Sequence, residues 1–214
     1  MRVYVIRHGE TDSNALGIFQ GQTDGMLTAE GIELARVTGE ALRDVPFDAA
    51  YTSPLTRAVD TAGAVLESNC GTCKRAVVDR RLIEIDMGDY EGKRFRPGES
   101  EVDAELTRLF FEDPFAFPGF PNGEDARQVC VRTQEFLREL ALADYGNVLV
   151  STHGFALRAM LNGLYGNSND FWQGHVPYNC SISVLESEGD GFRLVESDLV
   201  LYDPSRRVDR YASY

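Results

Sequence analysis

Two short apolar runs, each leading into a histidine and a glycine, constrain the fold of this chain more than any other feature. Residues 3–6 run directly into Arg-His-Gly at 7–9, and residues 148–150 are followed by His-Gly at 153–154. Runs of this length are typical of buried strands in a sheet that is covered on both faces. Ligands of open α/β sheets bind outside the carboxyl ends of the strands. The sequence therefore predicts one ligand site that draws on both histidines.

The rest of the chain continues the alternation of strand and helix patterns. In chain order the sequence predicts a strand (2–6), a loop (7–27), a helix (28–44), a strand (48–52), a helix (54–68), a short strand (76–78), a helix (124–143), a strand (147–152), a helix (155–164) and a hairpin (181–187 and 191–202). We therefore expect the α/β class, with a three-layer α/β/α sandwich around a mixed, mostly parallel sheet. The terminal hairpin would make one edge of that sheet antiparallel.

Two helix starts are readable from the sequence. Thr28 is expected to cap the first helix, and Ile32 to lie on its buried face. Ser53 followed by Pro54 predicts that the second helix begins there, with the serine as its cap. Arg57 then falls in the first turn, where the helix dipole disfavours a cation, so we expect it to bind an anion.

The bulk composition limits the number of domains and the classes of partner. A chain of 214 residues with 43% hydrophobic residues suits one good core, so we expect a single domain over 1–214. The net charge of −13 repels nucleic acid and anionic membranes, so neither is expected as a partner. A strand starting at residue 2 leaves no room for a leader, which predicts a cytoplasmic protein. The oligomeric state is left open.

Residues 89–123 are the least regular part of the chain and form an insertion. They contain four prolines and, between residues 110 and 120, five phenylalanines: Pro97, Pro114, Pro118, Pro121, Phe110, Phe111, Phe115, Phe117 and Phe120. A long aromatic insertion is typical of a lid over a site, and equally of a small satellite core beneath a loop. Both interpretations stay open here. The rings also hint at a substrate with a partly apolar leaving group.

Four basic side chains are expected to meet at one edge of the sheet. Arg7 and His8 follow the first strand, Arg57 begins a helix that leaves another strand, and His153 follows a third. Two guanidiniums offer forked donors that match phosphate oxygens. One imidazole can act as a nucleophile toward phosphorus, and a protonated second imidazole can bind an equatorial oxygen. Phosphoryl transfer depends mainly on such positioning and charge, so the set predicts phosphomonoester chemistry without a metal or another cofactor.

Glu84 is the candidate general acid for the leaving-group oxygen. It follows residues 82–83 in a run that is predicted to end a strand, and Asp86, Asp89 and Glu91 are its rivals. Crowding by these carboxylates and by a phosphate dianion would raise the pKa of Glu84 and keep it protonated. The alternative is that Glu84 only forms an ion pair with a nearby arginine.

The remaining reactive side chains give weaker signals. Cys70 and Cys73 have the C-x-x-C spacing, but no second pair accompanies them, so we expect free thiols in a surface loop rather than a zinc site. His175 is expected to be structural. Residues 179–181 follow it and are candidates for approaching the predicted pocket.

Four sequence blocks resemble the histidine phosphatase superfamily, in the branch that contains phosphoglycerate mutases and related phosphatases. The blocks are Arg7-His8-Gly9-Glu10-Thr11 with Asn14, Phe19-Gln20-Gly21 and Leu27-Thr28-x-x-Gly31; Tyr51-Thr52-Ser53-Pro54-Leu55-x-Arg57-Ala58; Leu82-x-Glu84 with Gly88-x-x-Glu91-Gly92; and His153-Gly154-x-x-x-Arg158. They occur in the family's order and span most of the chain.

The resemblance implies a role for each matching residue. His8 would be the phosphorylated nucleophile, Arg7, Arg57 and His153 would bind the phosphoryl group, and Glu84 would donate the proton. The phosphate pocket would further be lined by Asn14, Gln20, Gly21 and the backbone of Gly154. The family uses no metal, and its fold is a mixed, mostly parallel sheet between helices.

The resemblance leaves three functions to compare. Mutases of the family usually have asparagine where this chain has Phe155, and they carry basic residues in the insertion. This insertion has Arg94, Arg96 and Arg108, but its distal part is aromatic and acidic. We therefore favour a phosphatase acting on a small-molecule phosphomonoester. A cofactor-dependent phosphoglycerate mutase is the first alternative, and a non-catalytic phospho-ligand-binding module, against which the complete set of core residues argues, is the second.

Overall fold

A mixed sheet of six strands forms the centre of the molecule. The structure is a computed structural model, and it describes residues 1–96 and 98–208. The strands are β1 (Arg2–Arg7), β2 (Ala49–Thr52), β3 (Val77–Val78), β4 (Asn147–Thr152), β5 (Ile182–Glu188) and β6 (Gly191–Leu199). Their spatial order is β3-β2-β4-β1-β5-β6. The first four are parallel, and the terminal hairpin adds an antiparallel edge next to β1, as predicted.

Helices cover the sheet on both faces. They are α1 (Asp12–Leu16), α2 (Ala29–Ala41), α3 (Thr56–Glu67), α4 (Ala104–Glu112), α5 (Ala126–Leu140) and α6 (Gly154–Leu161). None of the helices within the described residues is both long enough and apolar enough to cross a membrane. The short helices α1 and α4 lie in segments for which the sequence predicted only a loop and an irregular insertion.

The two faces of the sheet belong to different cores. Ile6 and Leu149 pack with side chains of α2 and α3, whereas Val3, Val5 and Val150 pack with side chains of α5 and α6. Successive residues of a strand point to opposite faces, so the continuous apolar run of β1 supplies both cores. This arrangement confirms the predicted α/β class and its layers.

The prediction for the first helix is correct for its N-cap and wrong for the burial of Ile32. Thr28 caps α2 by accepting a hydrogen bond from the backbone N–H of Gly31. Ile32, however, is 42% exposed, and the buried face is formed by Leu34, Ala35 and Leu42.

The predicted start of the second helix is wrong. α3 begins at Thr56 rather than at Pro54, and its N-cap residue provides no side-chain hydrogen bond. The backbone N–H and hydroxyl of Thr56 donate instead to Asp24, at 2.9 and 2.6 Å. The cap thus comes from a distant loop, which a local sequence pattern does not reveal.

The run leading to Glu84 is not a strand. A turn of 3₁₀-helix covers Arg80–Leu82, because the Asp79 side chain accepts the backbone N–H of Arg81 and starts the turn. An irregular segment follows and carries Glu84 into the interior, where it is buried. The predicted position of Glu84 at the edge of the site therefore rested on a strand that this segment does not form.

The insertion forms a satellite core of aromatic rings. Phe110 of α4 packs against Phe117 and Phe120, with ring centroids 5.5 and 5.8 Å away. Phe155 of α6 and Trp172 join the same cluster. One of the two interpretations of the insertion is thereby confirmed, while the lid stays a prediction. Pro97, which belongs to the insertion, lies outside the described residues.

The loop between α3 and β3 carries the C-x-x-C pair. Cys70 is exposed and Cys73 is half-buried there, in agreement with the predicted surface loop. Within residues 1–96 and 98–208, no three His, Cys, Asp or Glu side chains are grouped so that they could hold a metal ion.

Candidate active site

The two His-Gly pairs meet because their strands are parallel neighbours. β1 pairs with β4 in a register that sets Arg7 opposite Thr152. The next residues, His8 and His153, therefore leave the sheet side by side. Their ring centroids are 5.1 Å apart and the rings are inclined by 58°. Both side chains are buried.

The His8 ring is held in one tautomer. Its Nδ1 atom lies 2.7 Å from the carbonyl oxygen of Gly9, which can only accept, so Nδ1 carries the proton. The Nε2 atom then has a lone pair. Burial lowers the pKa of His8 well below its ordinary value, and the charges of Arg57 and Arg7 lower it further. The ring is therefore neutral and has the form that a nucleophile requires.

His153 has a different environment. Its Nε2 atom forms a 2.7 Å hydrogen bond with the hydroxyl of Ser53, and its Nδ1 atom is buried with no partner among the described residues. Burial, followed by the charge of Arg57, lowers the pKa of His153 well below its ordinary value. The protonated second imidazole, which is expected as negative charge builds on a phosphoryl group, stays a prediction. A bound phosphate dianion would favour the protonated form.

Arg57 is fully buried beneath the histidines. Its guanidinium donates to the carbonyl oxygens of Gly21 and Thr23, at 2.7 and 3.0 Å. Burial lowers the pKa of Arg57 to about 10, although the carboxylates of Glu84 and other acidic residues oppose this shift. Arg57 therefore remains a cation at neutral pH.

Arg7 is the second guanidinium of the site. It donates through Nη1 to the carbonyl oxygen of Pro177. In the described part of the chain, the Nε atoms of Arg7 and Arg57 are both buried without a hydrogen-bond partner. Buried donors of this kind are costly unless an acceptor satisfies them. A side-chain carbon added at Gly154 would lie 3.5 Å from Nε of Arg7, so the two residues are close neighbours.

Glu84 lies at the amino end of α6. Its Oε1 atom accepts the N–H groups of Ile85 and Ala156, both at 2.9 Å, and its Oε2 atom accepts that of Phe155 at 3.1 Å. Burial raises the pKa of Glu84, although these N–H groups and Arg57 favour the charged form. The direction agrees with the sequence-based expectation. The cause is burial and not the expected crowding by neighbouring carboxylates.

Glu91, for which the sequence predicted only the role of a rival acid, holds part of the site in place. Its carboxylate accepts the backbone N–H groups of Gly21, Gln22 and Thr23, at 2.7 to 3.3 Å, and also that of Met87. The carbonyl groups of the same loop hold Arg57. Glu91 therefore fixes the loop that positions this guanidinium. The Gly-x-x-Glu-Gly spacing at 88–92 was the available signal.

Gly21 differs from its predicted place. It was expected to line the phosphate pocket, but its N–H is taken by Glu91 and its carbonyl by Arg57. A side-chain carbon at Gly21 would lie 2.3 Å from the carbonyl oxygen of Ile85, which explains why the position needs glycine. Contact between Gly21 and phosphate stays a prediction that this arrangement does not support.

The other predicted pocket residues form a polar network beside His8. The Oδ1 atom of Asn14 accepts from the backbone of Thr11 and from Asn179, and Gln20 accepts from the hydroxyl of Thr11. Asn179 also donates to the carbonyl oxygen of His8 at 3.0 Å. The suspected approach of residues 179–181 to the pocket is thus confirmed for Asn179.

Gly9 allows the loop that carries His8 to pack against the start of α2. A side-chain carbon at Gly9 would lie 2.5 Å from the carbonyl oxygen of Gly31, at the start of α2. The backbones of these two glycines are therefore in close contact, and α2 supports the loop that carries His8.

Arg158, from the fourth block, is buried apart from the four basic groups. It forms an ion pair of 2.8 Å with Asp198 and donates to Tyr165 and to the carbonyl oxygen of His175. Its role is to hold the β6 edge and the 172–179 segment together.

One cavity of about 50 Å³ opens at His8. Its polar side is lined by Arg7, His8, Asn14, Gln20, Glu84 and Gly154. A nucleophile, a cation and a buried acid thus share a single cavity. Arg57 and His153 are not among its lining residues, but the ring of His153 packs against His8 and the charge of Arg57 acts on His8.

Comparisons with known proteins agree with this geometry. A protein of Hydrogenobacter thermophilus with the provisional name phosphoserine phosphatase 2 is 32% identical over 195 residues, covering 91% of this chain and 93% of that protein. The 2,3-bisphosphoglycerate-dependent phosphoglycerate mutase of Azorhizobium caulinodans is 33% identical over 164 residues, covering 73% and 78%. The solved structure of Bacillus stearothermophilus YhfR superposes with a TM-score of 0.80 at 29% identity, covering 90% and 94%.

The family model of the histidine phosphatase superfamily (branch 1) matches residues 3–199. This match includes all four sequence blocks and every residue of the cavity's polar side. The chain therefore belongs to the histidine phosphatase superfamily, in branch 1.

Proposed function

We propose that this protein is a metal-independent phosphomonoester hydrolase that works through a phosphohistidine on His8. The observation that carries the proposal is the hydrogen bond from Nδ1 of His8 to the Gly9 carbonyl oxygen. It leaves Nε2 unprotonated in a cavity that is also lined by a cation, Arg7, and a buried acid, Glu84. The provisional phosphatase name of the Hydrogenobacter relative supports the same activity.

The first step transfers the phosphoryl group to the protein. The lone pair of Nε2 forms a bond to phosphorus, and the bond from phosphorus to the ester oxygen breaks. Glu84 gives its proton to that oxygen, so the leaving group departs as a neutral alcohol. The raised pKa of Glu84 keeps the proton available until this point.

The second step returns the protein to its starting state. A water molecule attacks phosphorus, the carboxylate of Glu84 accepts a proton from it, and the bond to Nε2 breaks. The products are an alcohol and inorganic phosphate. Arg7 and Arg57 stabilise the charge on the transferring group in both steps, because their Nε–H groups are buried donors with no partner among the described residues. His153 contributes once a phosphate dianion favours its protonated form, in which Nδ1 is a donor too.

A mutase would need a cation for the acid group of phosphoglycerate, and the insertion does not provide one at the cavity. Arg94 lies 3.5 Å from Glu99, and Arg108 pairs with two acidic residues of its own helix. Arg96 donates to the carbonyl oxygen of Ala15. None of the three lines the cavity. We therefore keep hydrolysis as the proposed reaction.

Phosphate release from p-nitrophenyl phosphate by protein treated with a chelator tests the proposal. We expect turnover to persist after chelation and to be abolished in His8→Ala. His175→Ala is the matched control, since His175 is half-buried outside the cavity, and it should keep most of the activity.

Four results would contradict the proposal in different ways. Turnover by His8→Ala would show that His8 is not the nucleophile. Loss of activity on chelation, with recovery when metal is added, would show that the enzyme depends on a metal. Isomerisation of 3-phosphoglycerate that depends on 2,3-bisphosphoglycerate and exceeds phosphate release would indicate a mutase. Tight phosphate binding without turnover of any ester would indicate a binding module.

A further inference from the structure

The cavity at His8 has two chemically different walls. Besides the polar groups, the lining consists largely of six aromatic side chains, which we call the aromatic wall. They come from the loop after α1, from the insertion, from the start of α6 and from the segment after α6: Phe19, Phe95, Phe110, Phe111, Phe155 and Trp172. A leaving group attached to phosphorus at His8 must lie against this wall, because the other side is occupied by the groups that act on phosphate.

The aromatic wall offers no free polar side chain. The indole N–H of Trp172 is its only strong donor, and it donates to the carbonyl oxygen of Phe110 at 3.1 Å. Among the described residues that line the cavity, the charged side chains are Arg7 and Glu84, and both belong to the polar side. A carboxylate on the leaving group would therefore lose water and find no cation on the aromatic wall, which is costly.

The size of the cavity adds a second restriction. About 50 Å³ holds roughly four water molecules at 10–15 Å³ each, so only a phosphoryl group and a few further atoms fit inside. Longer groups must extend toward the mouth. The half-buried residues of the lining are Ile18, Phe111 and Val176, which are apolar, and Gln20, so the path outward is mostly apolar and carries no charge.

We infer that the enzyme takes phosphomonoesters with an apolar, uncharged alkyl or aryl leaving group and discriminates against esters that carry a carboxylate or a second phosphate. This inference rests on the proposed function and specifies its substrate class. The aromatic wall favours leaving groups whose carbon atoms it can contact. Because it carries no cation, it disfavours leaving groups that bear a second anionic group.

Three esters with the same number of carbons test the inference: propyl phosphate, glycerol 1-phosphate and 3-phosphoglycerate. Each leaving group is a primary alcohol, so each needs a proton from Glu84. We expect kcat/KM to fall in that order, by at least tenfold from propyl phosphate to 3-phosphoglycerate. From methyl to propyl phosphate, kcat/KM should rise by up to about fourfold per CH₂, because a buried CH₂ group contributes about 0.8 kcal/mol.

Two lysine variants in the insertion provide a matched comparison. Phe111 and Phe115 are both half-buried, but only Phe111 lines the cavity. Phe111→Lys should raise the ratio of kcat/KM for 3-phosphoglycerate over propyl phosphate by at least tenfold, because it supplies the missing cation. Phe115→Lys should leave the ratio unchanged. If Phe111→Lys does not fold, Val176→Lys at the mouth replaces it.

The outcomes distinguish the inference from the proposed function. Equal kcat/KM for the three esters, or a preference for 3-phosphoglycerate, overturns the inference while phosphate release still supports hydrolysis. If phosphate is released neither from the three esters nor from p-nitrophenyl phosphate, the proposed function itself is overturned.

Discussion

Replacing Glu84 by glutamine separates proton donation from packing, because the two oxygens of Glu84 have different backbone partners. Oε1 accepts two N–H groups and Oε2 accepts the N–H of Phe155. Glutamine has only one oxygen, so its amide nitrogen must face at least one of these donors. A buried N–H without an acceptor costs about 1–3 kcal/mol. Urea denaturation of Glu84→Gln should show a loss of unfolding free energy of that size.

Catalysis should respond on a larger scale, and only for some esters. A general acid contributes about 10²–10⁴-fold, so kcat/KM for propyl phosphate should fall by that factor in Glu84→Gln. p-Nitrophenolate leaves without a proton, so the loss for p-nitrophenyl phosphate should stay below about tenfold. The comparison is made by measuring phosphate release from both esters under the same conditions.

Glu91→Gln is the matched control. Glu91 also accepts several backbone N–H groups, but it does not line the cavity. Its replacement should cost a similar free energy of unfolding and lower both activities by the same factor. Equal losses on the two esters in Glu84→Gln would refute the assignment of Glu84 as the proton donor.

Three further predictions concern pH, the Arg158 ion pair and glycine packing. In the pH profile of kcat/KM for propyl phosphate, activity should fall as pH rises through the raised pKa of Glu84, because the proton donor is then lost. The acid limb should lie well below pH 6.5, because the pKa of His8 is lowered. An acid limb at or above pH 6.5 would contradict this expectation. Arg158→Met leaves Asp198 buried without its cation and should cost about 3–5 kcal/mol in urea denaturation, part of which Asp198→Asn restores; no recovery in the double variant would show that the pair is not the cause. Gly31→Ala places a carbon 2.2 Å from the carbonyl oxygen of Glu10 and should cost about 1–3 kcal/mol, whereas Gly63→Ala meets nothing within 4 Å and should be tolerated; equal stability of the two variants would argue against the close contact.

The sequence was sufficient where the fold follows from continuous patterns. The apolar runs of β1 and β4 predicted two buried parallel strands, and the adjacency of His8 and His153 followed from the shared sheet edge. The alternation of strands and helices predicted the layers. Arg57 lies in the first turn of its helix, as expected.

The sequence was insufficient where a group is satisfied by a distant partner. Ser53 matches the pattern of a helix cap, yet its hydroxyl binds His153, and the helix is capped by Asp24. Glu91 resembled a rival acid because its neighbours are acidic, yet it binds the backbone of a loop 70 residues earlier in the chain. The sequence cannot show such pairings because each side chain has several possible partners until the chain is folded.

The protonation states also depend on packing rather than on sequence neighbours. Glu84 was expected to hold its proton because of nearby carboxylates, but burial at the amino end of α6 is the cause of its raised pKa. Burial also lowers the pKa of His153, so the expected imidazolium depends on the negative charge of a bound phosphoryl group and not on sequence neighbours.

Identification of the phosphorylated atom tests the central claim most directly. The protein is mixed with radiolabelled p-nitrophenyl phosphate, quenched in alkaline denaturant to preserve the bond from phosphorus to nitrogen, and digested. The label should be found on the peptide that contains His8, and phosphorus NMR should place it on Nε2. Label on Nδ1 of His8 or on His153, or turnover in which no labelled protein forms under conditions of rapid quench, would contradict the account.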